Sequence, residues 1–192
     1  MEAAAMAFAK VYCFGPTFRA EKSDTRRHLT EFWMVEPEVA FLDLEGDMDL
    51  AEDFVDHIIS SVLEHCRDEL ETIDRDVEPL EKIQKPFPRI TYDEAVDIVH
   101  ENGGDMEYGS DFGATDETIL SEQFDKPILV HRYPADVKAF YMRKDPEDDS
   151  KALCVDMIAP EGYGEVIGRG DPEFNLEKLD HSIEEHGLAM EA

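Results

Sequence analysis

The sequence is poor in cysteine and in long apolar runs, and each shortage excludes a class of protein. Its three cysteines, Cys13, Cys66 and Cys154, are odd in number and far apart, so they form neither a disulfide framework nor a zinc site. This cysteine content is typical of a reducing cytoplasm, the compartment we expect. No run approaches the roughly 18 consecutive apolar residues of a membrane helix. We therefore expect no membrane partner, and we interpret the apolar segment 1–10 as the end of a core helix rather than a signal peptide.

Basic residues are also scarce, at 18 against 47 acidic ones, which gives a formal net charge of −29. The acids are spread along the chain among apolar residues, which predicts a solvated acidic surface rather than a disordered tail. Such a surface is typical of a salt-rich cytoplasm, because salt screens the self-repulsion. One segment departs from this background: residues 10–28 hold five bases and two acids. Phosphate is the expected reason for a basic island in an acidic chain.

Residue patterns predict strands, then helices, then strands. Residues 10–20 predict a strand, a turn at Gly15-Pro16 and a second strand, and 31–41 predict a further strand after a long charged loop. These pieces predict an antiparallel hairpin. Helices are predicted over 47–70, 78–83, 93–100 (with Thr91 as its cap), 115–124 and 173–186. Strands are predicted in 127–133, 139–144, 151–160 and 163–168. The order predicts an α+β fold in which helices back an antiparallel sheet, within one domain.

Three segments carry a family resemblance, and they occur in the family's order. The first is FRAEKSDTRRHLTEFWMVEPE (18–38), with an arginine, an acid, a charged loop and an aromatic strand. The second and third are YPADVKAFYMR (133–143) and DMIAPEGYGEVIG (156–168). Together they resemble the middle of the catalytic domain of class II aminoacyl-tRNA synthetases, of the asparaginyl type. The resemblance runs through nearly all 192 residues and places the family's motif 2 at about 11–41.

The resemblance implies an ATP-dependent ligase that forms an aminoacyl-adenylate from asparagine and then charges tRNA, acting as a homodimer in the full-length family. It implies that Arg19 grips the α-phosphate and the amino-acid carboxylate, with Glu21 beside it on ATP. The other implied ATP contacts are Arg27, His28, Leu29, Phe32 (stacked on adenine) and Glu165. The implied amino-acid contacts are Glu36 and Glu117.

The resemblance also implies that Asp156 and Glu165 hold the Mg²⁺ bound to ATP. On their own, the residues allow this interpretation, because two carboxylates on paired antiparallel strands can converge on one hard cation. Among 47 acids, however, such a pair carries little weight without the family comparison.

Two departures from the family pattern keep other hypotheses open. The position at which the family has a substrate-recognising arginine holds Pro172, and the nearest arginine is Arg169. Motif 1, motif 3 and the anticodon-binding domain are expected to lie outside residues 1–192. One alternative is therefore a truncated, non-catalytic module that binds nucleotide or protein. A second alternative is an aspartyl-tRNA synthetase-type fragment.

Overall fold

The computed structural model describes residues 1–20 and 28–188, which form two compact units, Met1–Asp43 and Leu44–Ala192. Within the described residues, no helix is both long enough and apolar enough to cross a membrane. The elements of the first unit are α1 (Glu2–Phe8), β1 (Lys10–Phe18) and β2 (Glu31–Val39). The helices of the second unit are α2 (Leu44–His65), α3 (Arg67–Thr72), α4 (Glu78–Lys82), α5 (Tyr92–Glu101), α6 (Ala114–Ser121) and α7 (Leu176–Glu185). Its strands are β3 (Arg89–Thr91), β4 (Ile128–His131), β5 (Cys154–Ala159) and β6 (Gly164–Gly170).

The first unit is the antiparallel hairpin of β1 and β2, which confirms the predicted pairing. The predicted turn at Gly15-Pro16 is wrong, because β1 continues through both residues, opposite Met34 and Trp33. A proline is tolerated in β1 because each strand of a two-stranded sheet has one side without a partner. A missing N–H on that side removes no hydrogen bond between strands. Helix α1 is present as predicted, but its assignment to a core is wrong in this structure, since Met6 is 89% exposed.

The second unit is a four-stranded sheet in the order β3-β4-β5-β6. β4, β5 and β6 are antiparallel, whereas β3 runs parallel to β4. Helix α2 packs on one face of the sheet, where Met48 and Ala51 share a buried cluster with Leu129 and Met157. Helices α5 and α6 cover the other face. This layering confirms the α+β class and buries both faces of the central strands.

Several boundaries differ from the predictions. The long helix begins at Leu44 and ends at His65, and residues up to Thr72 form the separate helix α3. Helix α6 ends at Ser121, and α7 begins only at Leu176, after Asn175 caps it by accepting from the N–H of Lys178. Helix α5 keeps the predicted capping box between Thr91 and Glu94.

The strand predicted at 139–144 does not form. Instead the segment makes isolated bridges, from Met142 to Pro172 and from Lys144 to Ala152. Its backbone is shared between two neighbours, since Arg143 donates to Asp171 and accepts from Leu153. A segment that divides its hydrogen bonds in this way lacks a single partner strand, so it does not extend the sheet.

Candidate functional site

The hairpin brings together two of the residues predicted to contact ATP, Arg19 and Phe32. The N–H of Arg19 donates to the carbonyl of Thr30 at 2.9 Å, which extends the β1–β2 ladder past Phe18. The guanidinium carbon of Arg19 lies 5.5 Å from the ring centroid of Phe32. The Arg19 guanidinium therefore lies over the face of the Phe32 ring, as in a cation–π contact. The structure therefore places together the residue predicted to bind phosphate and the residue predicted to stack on adenine.

Glu36 lies on the same face of β2 as Phe32, because side chains alternate along a strand. It is directly opposite Cys13, whose thiol donates to Glu36 Oε2 at 3.2 Å. This hydrogen bond to the carboxylate raises the pKa of the Cys13 thiol above its ordinary value. The predicted amino-acid contact is therefore an exposed carboxylate, held by a cross-strand thiol.

The loop between the strands is described only in part. His28 and Leu29 are described, both are exposed, and Leu29 is 67% exposed. Glu21 and Arg27, predicted to contact ATP, lie outside the described residues. Their roles stay predictions.

In the second unit, Asp156 and Glu165 lie on neighbouring strands, β5 and β6, on one face of the sheet. Asp156 is opposite Gly168, and after a bulge Glu165 is opposite Ile158. The bulge matters because it shifts the alternation by one residue, which brings Glu165 to the face that carries Asp156. The two residues lie where the sequence comparison predicted a carboxylate pair.

Gly168 shows that the two carboxylates converge. A Cβ atom on Gly168 would lie 2.5 Å from Glu165 Oε1 and 3.4 Å from Asp156 Oδ1. One oxygen from each carboxylate therefore lies over the same glycine. Because glycine has no side chain, the Glu165 carboxylate can pack directly over the Gly168 backbone, with an oxygen of Asp156 beside it.

Burial and like charge raise the pKa values of both carboxyl groups. Desolvation, followed by the charge of Asp156, raises the pKa of Glu165 from its usual 4.5 to about 7. Asp156 is only 7% exposed. Burial also raises the pKa of Asp156, although Lys138 opposes that shift.

Glu117, at the start of α6, lies next to this pair. Its Oε2 accepts a hydrogen bond from the backbone N–H of Glu165 at 3.2 Å, and its charge adds to the rise in the pKa of Glu165. The prediction that Glu117 contacts the amino acid is untested. Its place beside Glu165 is a structural fact.

Sequence reasoning missed Lys138, which supplies a cation to this cluster. Its Nζ lies 2.7 Å from Asp156 Oδ2 and 3.3 Å from Asp111 Oδ1, and 3.8 Å from the ring centroid of Tyr133. Burial lowers the pKa of Lys138, but the two carboxylates outweigh burial and raise it, so the ammonium stays charged. The only signal in the sequence was its position within the second family segment.

Arg169 does not take the place of the arginine expected at Pro172. It is opposite Val155 in the β5–β6 register, one residue from the Gly168 position. Its side chain therefore points to the α2 face, where its Nη2 pairs with Asp47 Oδ1 at 2.8 Å. The carboxylates Asp156 and Glu165 lie on the opposite face of the sheet.

The donor set suits a magnesium ion better than a transition metal. Two carboxylate oxygens over Gly168 are hard ligands, and Mg²⁺ is commonly bound by one or two carboxylates together with water and substrate phosphates. Across residues 1–20 and 28–188, no three histidine, cysteine, aspartate or glutamate side chains group as metal ligands. The pair fits Mg²⁺ that arrives with a phosphate ligand.

Comparison with known proteins defines the family. The family model for tRNA synthetases class II (D, K and N) matches residues 2–192, so the chain belongs to this family of class II tRNA synthetases. It is 61% identical over 204 residues to the asparagine–tRNA ligase of Sorangium cellulosum, covering all of this chain and 46% of that protein. It is 59% identical over 198 residues to the enzyme of Koribacter versatilis, covering all of this chain and 45% of that protein.

Solved structures agree with this assignment. The asparaginyl-tRNA synthetase of Pyrococcus horikoshii complexed with asparaginyl-adenylate matches with a TM-score of 0.94 and 47% identity, over 98% of this chain and 43% of that one. The aspartyl-tRNA synthetase of Entamoeba histolytica matches with a TM-score of 0.86 and 28% identity, over 97% and 39%. The chain thus spans less than half the length of the relatives it matches.

Proposed function

We propose that this chain is part of an asparagine–tRNA ligase and carries residues that activate asparagine with ATP. The observation that supports this most strongly is the 47% identity, at a TM-score of 0.94, to a synthetase bound to asparaginyl-adenylate. The aspartyl enzyme is less similar, at 28% identity. Asparagine is therefore preferred to aspartate as the substrate, and the similarity to asparagine–tRNA ligases favours a catalytic role over a non-catalytic module.

In the proposed reaction, the carboxylate oxygen of asparagine attacks the α-phosphorus of ATP. The bond from that phosphorus to the bridging oxygen breaks, pyrophosphate leaves, and asparaginyl-adenylate forms. The tRNA 3′ end then accepts the aminoacyl group and releases AMP.

Arg19 binds the α-phosphate and the amino-acid carboxylate in this proposal. A guanidinium suits both, because its planar fork donates two parallel hydrogen bonds to such anions. It also stabilises the additional charge that the α-phosphate develops in the transition state. Phe32, next to it on the hairpin, presents a ring face to adenine. Glu21 contacts ATP beside Arg19.

Three further loop residues complete the proposed nucleotide contacts: Arg27, His28 and Leu29. Glu36 contacts the amino acid, with Glu117 as a second contact. Pro172 has no guanidinium, and that of Arg169 pairs with Asp47, so neither residue supplies the substrate-recognising arginine of the family.

Asp156 and Glu165 are proposed to bind Mg²⁺ through the two oxygens over Gly168. When bound, the ion neutralises charge on the phosphate groups. Within the chain, the missing side chain of Gly168 allows the Glu165 carboxylate to pack over it, and Glu117 accepts a hydrogen bond from the Glu165 backbone.

We also propose that the protein acts in a salt-rich cytoplasm and, like the full-length family, as a homodimer. The net charge of −29 supports the first statement. The second rests on the family resemblance.

Replacing Arg19 tests the proposed reaction. In the polypeptide that carries this chain, Arg19→Ala should lower asparagine-dependent ATP–pyrophosphate exchange by at least ~100-fold, the usual effect of removing one donor to a developing charge. The control is Arg67→Ala, which removes an exposed arginine on α3 that pairs with Glu81. It should leave exchange unchanged. Exchange that survives Arg19→Ala at the wild-type rate would refute the role given to Arg19.

A further inference from the structure

We infer that Lys138 is a positioning residue, which binds one oxygen of Asp156 so that the other oxygen is presented to the metal ion. The inference rests on the proposed Mg²⁺ site. It adds Lys138 to that site, a residue for which the family resemblance implied no role.

The two oxygens of Asp156 have different surroundings. Oδ2 accepts a hydrogen bond from the Lys138 ammonium at 2.7 Å. Oδ1 lies on the Gly168 side, toward the point where Glu165 Oε1 also lies. Lys138, together with the hydroxyl of Tyr133, which also donates to the Asp156 carboxylate, therefore holds this carboxylate so that Oδ1 lies on the side of Glu165 Oε1.

Lys138 is itself firmly held. It follows a short 3₁₀ turn, Ala135–Val137. Its ammonium lies over the ring of Tyr133, which is 1% exposed and packs against Tyr92 at 5.1 Å between centroids. Contacts with Asp156, Asp111 and this ring account for the three ammonium hydrogens. The residue is thus occupied in holding Asp156, and its role is to orient the carboxylate rather than to touch substrate.

Two physical effects of removing Lys138 oppose each other, and this makes the inference testable. If Lys138 acted only as a nearby positive charge, its loss would relieve repulsion and tighten metal binding. If it orients Asp156, its loss weakens binding, because residues that orient metal ligands typically contribute ~10–100-fold to affinity. The sign of the change therefore identifies the role.

The experiment measures Mn²⁺ binding, in the presence of ATP, to the polypeptide that carries this chain, by the loss of EPR signal relative to a blank of Mn²⁺ and ATP without protein. Asp156→Asn defines the background from the many surface carboxylates. Lys138→Met should weaken the Asp156-dependent binding by at least ~10-fold. Lys138→Gln, which keeps an N–H donor for Asp156 but no charge, should stay within about threefold of wild type because orientation is retained.

The matched control is Lys151→Met. Lys151 is similarly enclosed, pairs with Asp93 at 2.6 Å and lies near the ring of Tyr108, but it does not contact Asp156. Its loss should leave Mn²⁺ affinity unchanged.

Equal or tighter Mn²⁺ binding by Lys138→Met, with wild-type binding intact, would overturn the role of Lys138 alone. Mn²⁺ binding by Lys138→Gln that is no stronger than the background binding of Asp156→Asn would also overturn this role. If Lys138→Met does not fold, the result with Lys138→Gln decides whether Lys138 orients Asp156. A wild-type chain without Asp156-dependent binding would refute the metal site together with this inference. Neither result bears on pyrophosphate exchange, which tests the proposed reaction separately.

Discussion

Among single residues, Glu165 has an environment that changes its pKa and makes the stability of the chain depend on pH. Desolvation and the neighbouring Asp156 raise its pKa to about 7, against 4.5 ordinarily. Between these two values the folded chain holds a proton that the unfolded chain releases. The free energy of unfolding therefore falls as the pH rises from about 4.5 to about 7, and the loss is complete above pH 7.

Glu165→Gln removes this dependence. In EDTA at pH 8 the variant should melt at a higher temperature than wild type, and at pH 4.5 the two should melt alike. For a domain of this size, each kcal/mol of stabilisation is worth about 2–4 °C. Scanning calorimetry across pH measures the effect, and Glu101→Gln on the exposed face of α5 controls for loss of one negative charge. A melting difference that is the same at pH 4.5 and pH 8 would contradict the pKa assigned to Glu165.

Two features of the carboxylate site could not be predicted from the sequence. Asp156 and Glu165 could be named from family segments, but the bulge that aligns them could not, because it depends on how β5 and β6 pair. Lys138 carries no local pattern: it contacts Asp111 and Asp156, 27 and 18 positions away in the chain. Contacts of this kind appear only once the chain is folded.

Among the elements, α2 is joined to β3 through ion pairs of Arg89. Arg89 on β3 donates to Asp49 at 2.5 Å and to Glu52 at 3.0 Å, both on α2. Glu52 is 6% exposed and also accepts a hydrogen bond from the N–H of Phe87. A buried carboxylate that loses its cation is costly, so this pair matters more than a surface pair.

Arg89→Met should destabilise the chain by roughly 2–4 kcal/mol, because it leaves Glu52 buried without its cation. Urea denaturation measures the change. Arg67→Met, which breaks an exposed pair with Glu81, should cost less than ~1 kcal/mol. Equal effects from the two variants would show that Arg89 is no more than a surface ion pair.

Elements were predictable where local patterns are strong. The hairpin, α2 and the capping box of α5 follow from alternation, helical spacing and the Thr91–Glu94 pair. Strand β3 was missed because three residues give no periodicity, and its parallel pairing with β4 is a long-range contact. The strand predicted at 139–144 failed because its backbone divides its hydrogen bonds between Asp171 and Leu153, so no single strand pairs with it.

On the scale of the whole molecule, the dominant property is a net charge of −29 on 192 residues. Self-repulsion of this size opposes the compact state, and added salt screens it, since the Debye length falls from about 10 Å at 0.1 M to about 3 Å at 1 M. The acidic surface is therefore expected to make stability depend on salt.

Thermal melts in ~0.1 M and ~2 M KCl should differ widely, with the higher melting temperature in the higher salt. Sorbitol at matched osmotic strength controls for effects that do not depend on ions. Similar melting temperatures in the two salt solutions would contradict the proposed adaptation to a salt-rich cytoplasm.

The central claim is that the chain belongs to an enzyme that activates asparagine. The most direct test is ATP–pyrophosphate exchange by the polypeptide that carries this chain, measured side by side with asparagine, aspartate and lysine, the three amino acids of the family. Exchange driven by asparagine, and by the other two only at background level, is the predicted result. Exchange driven by aspartate or lysine instead, or by none of the three, would contradict the claim.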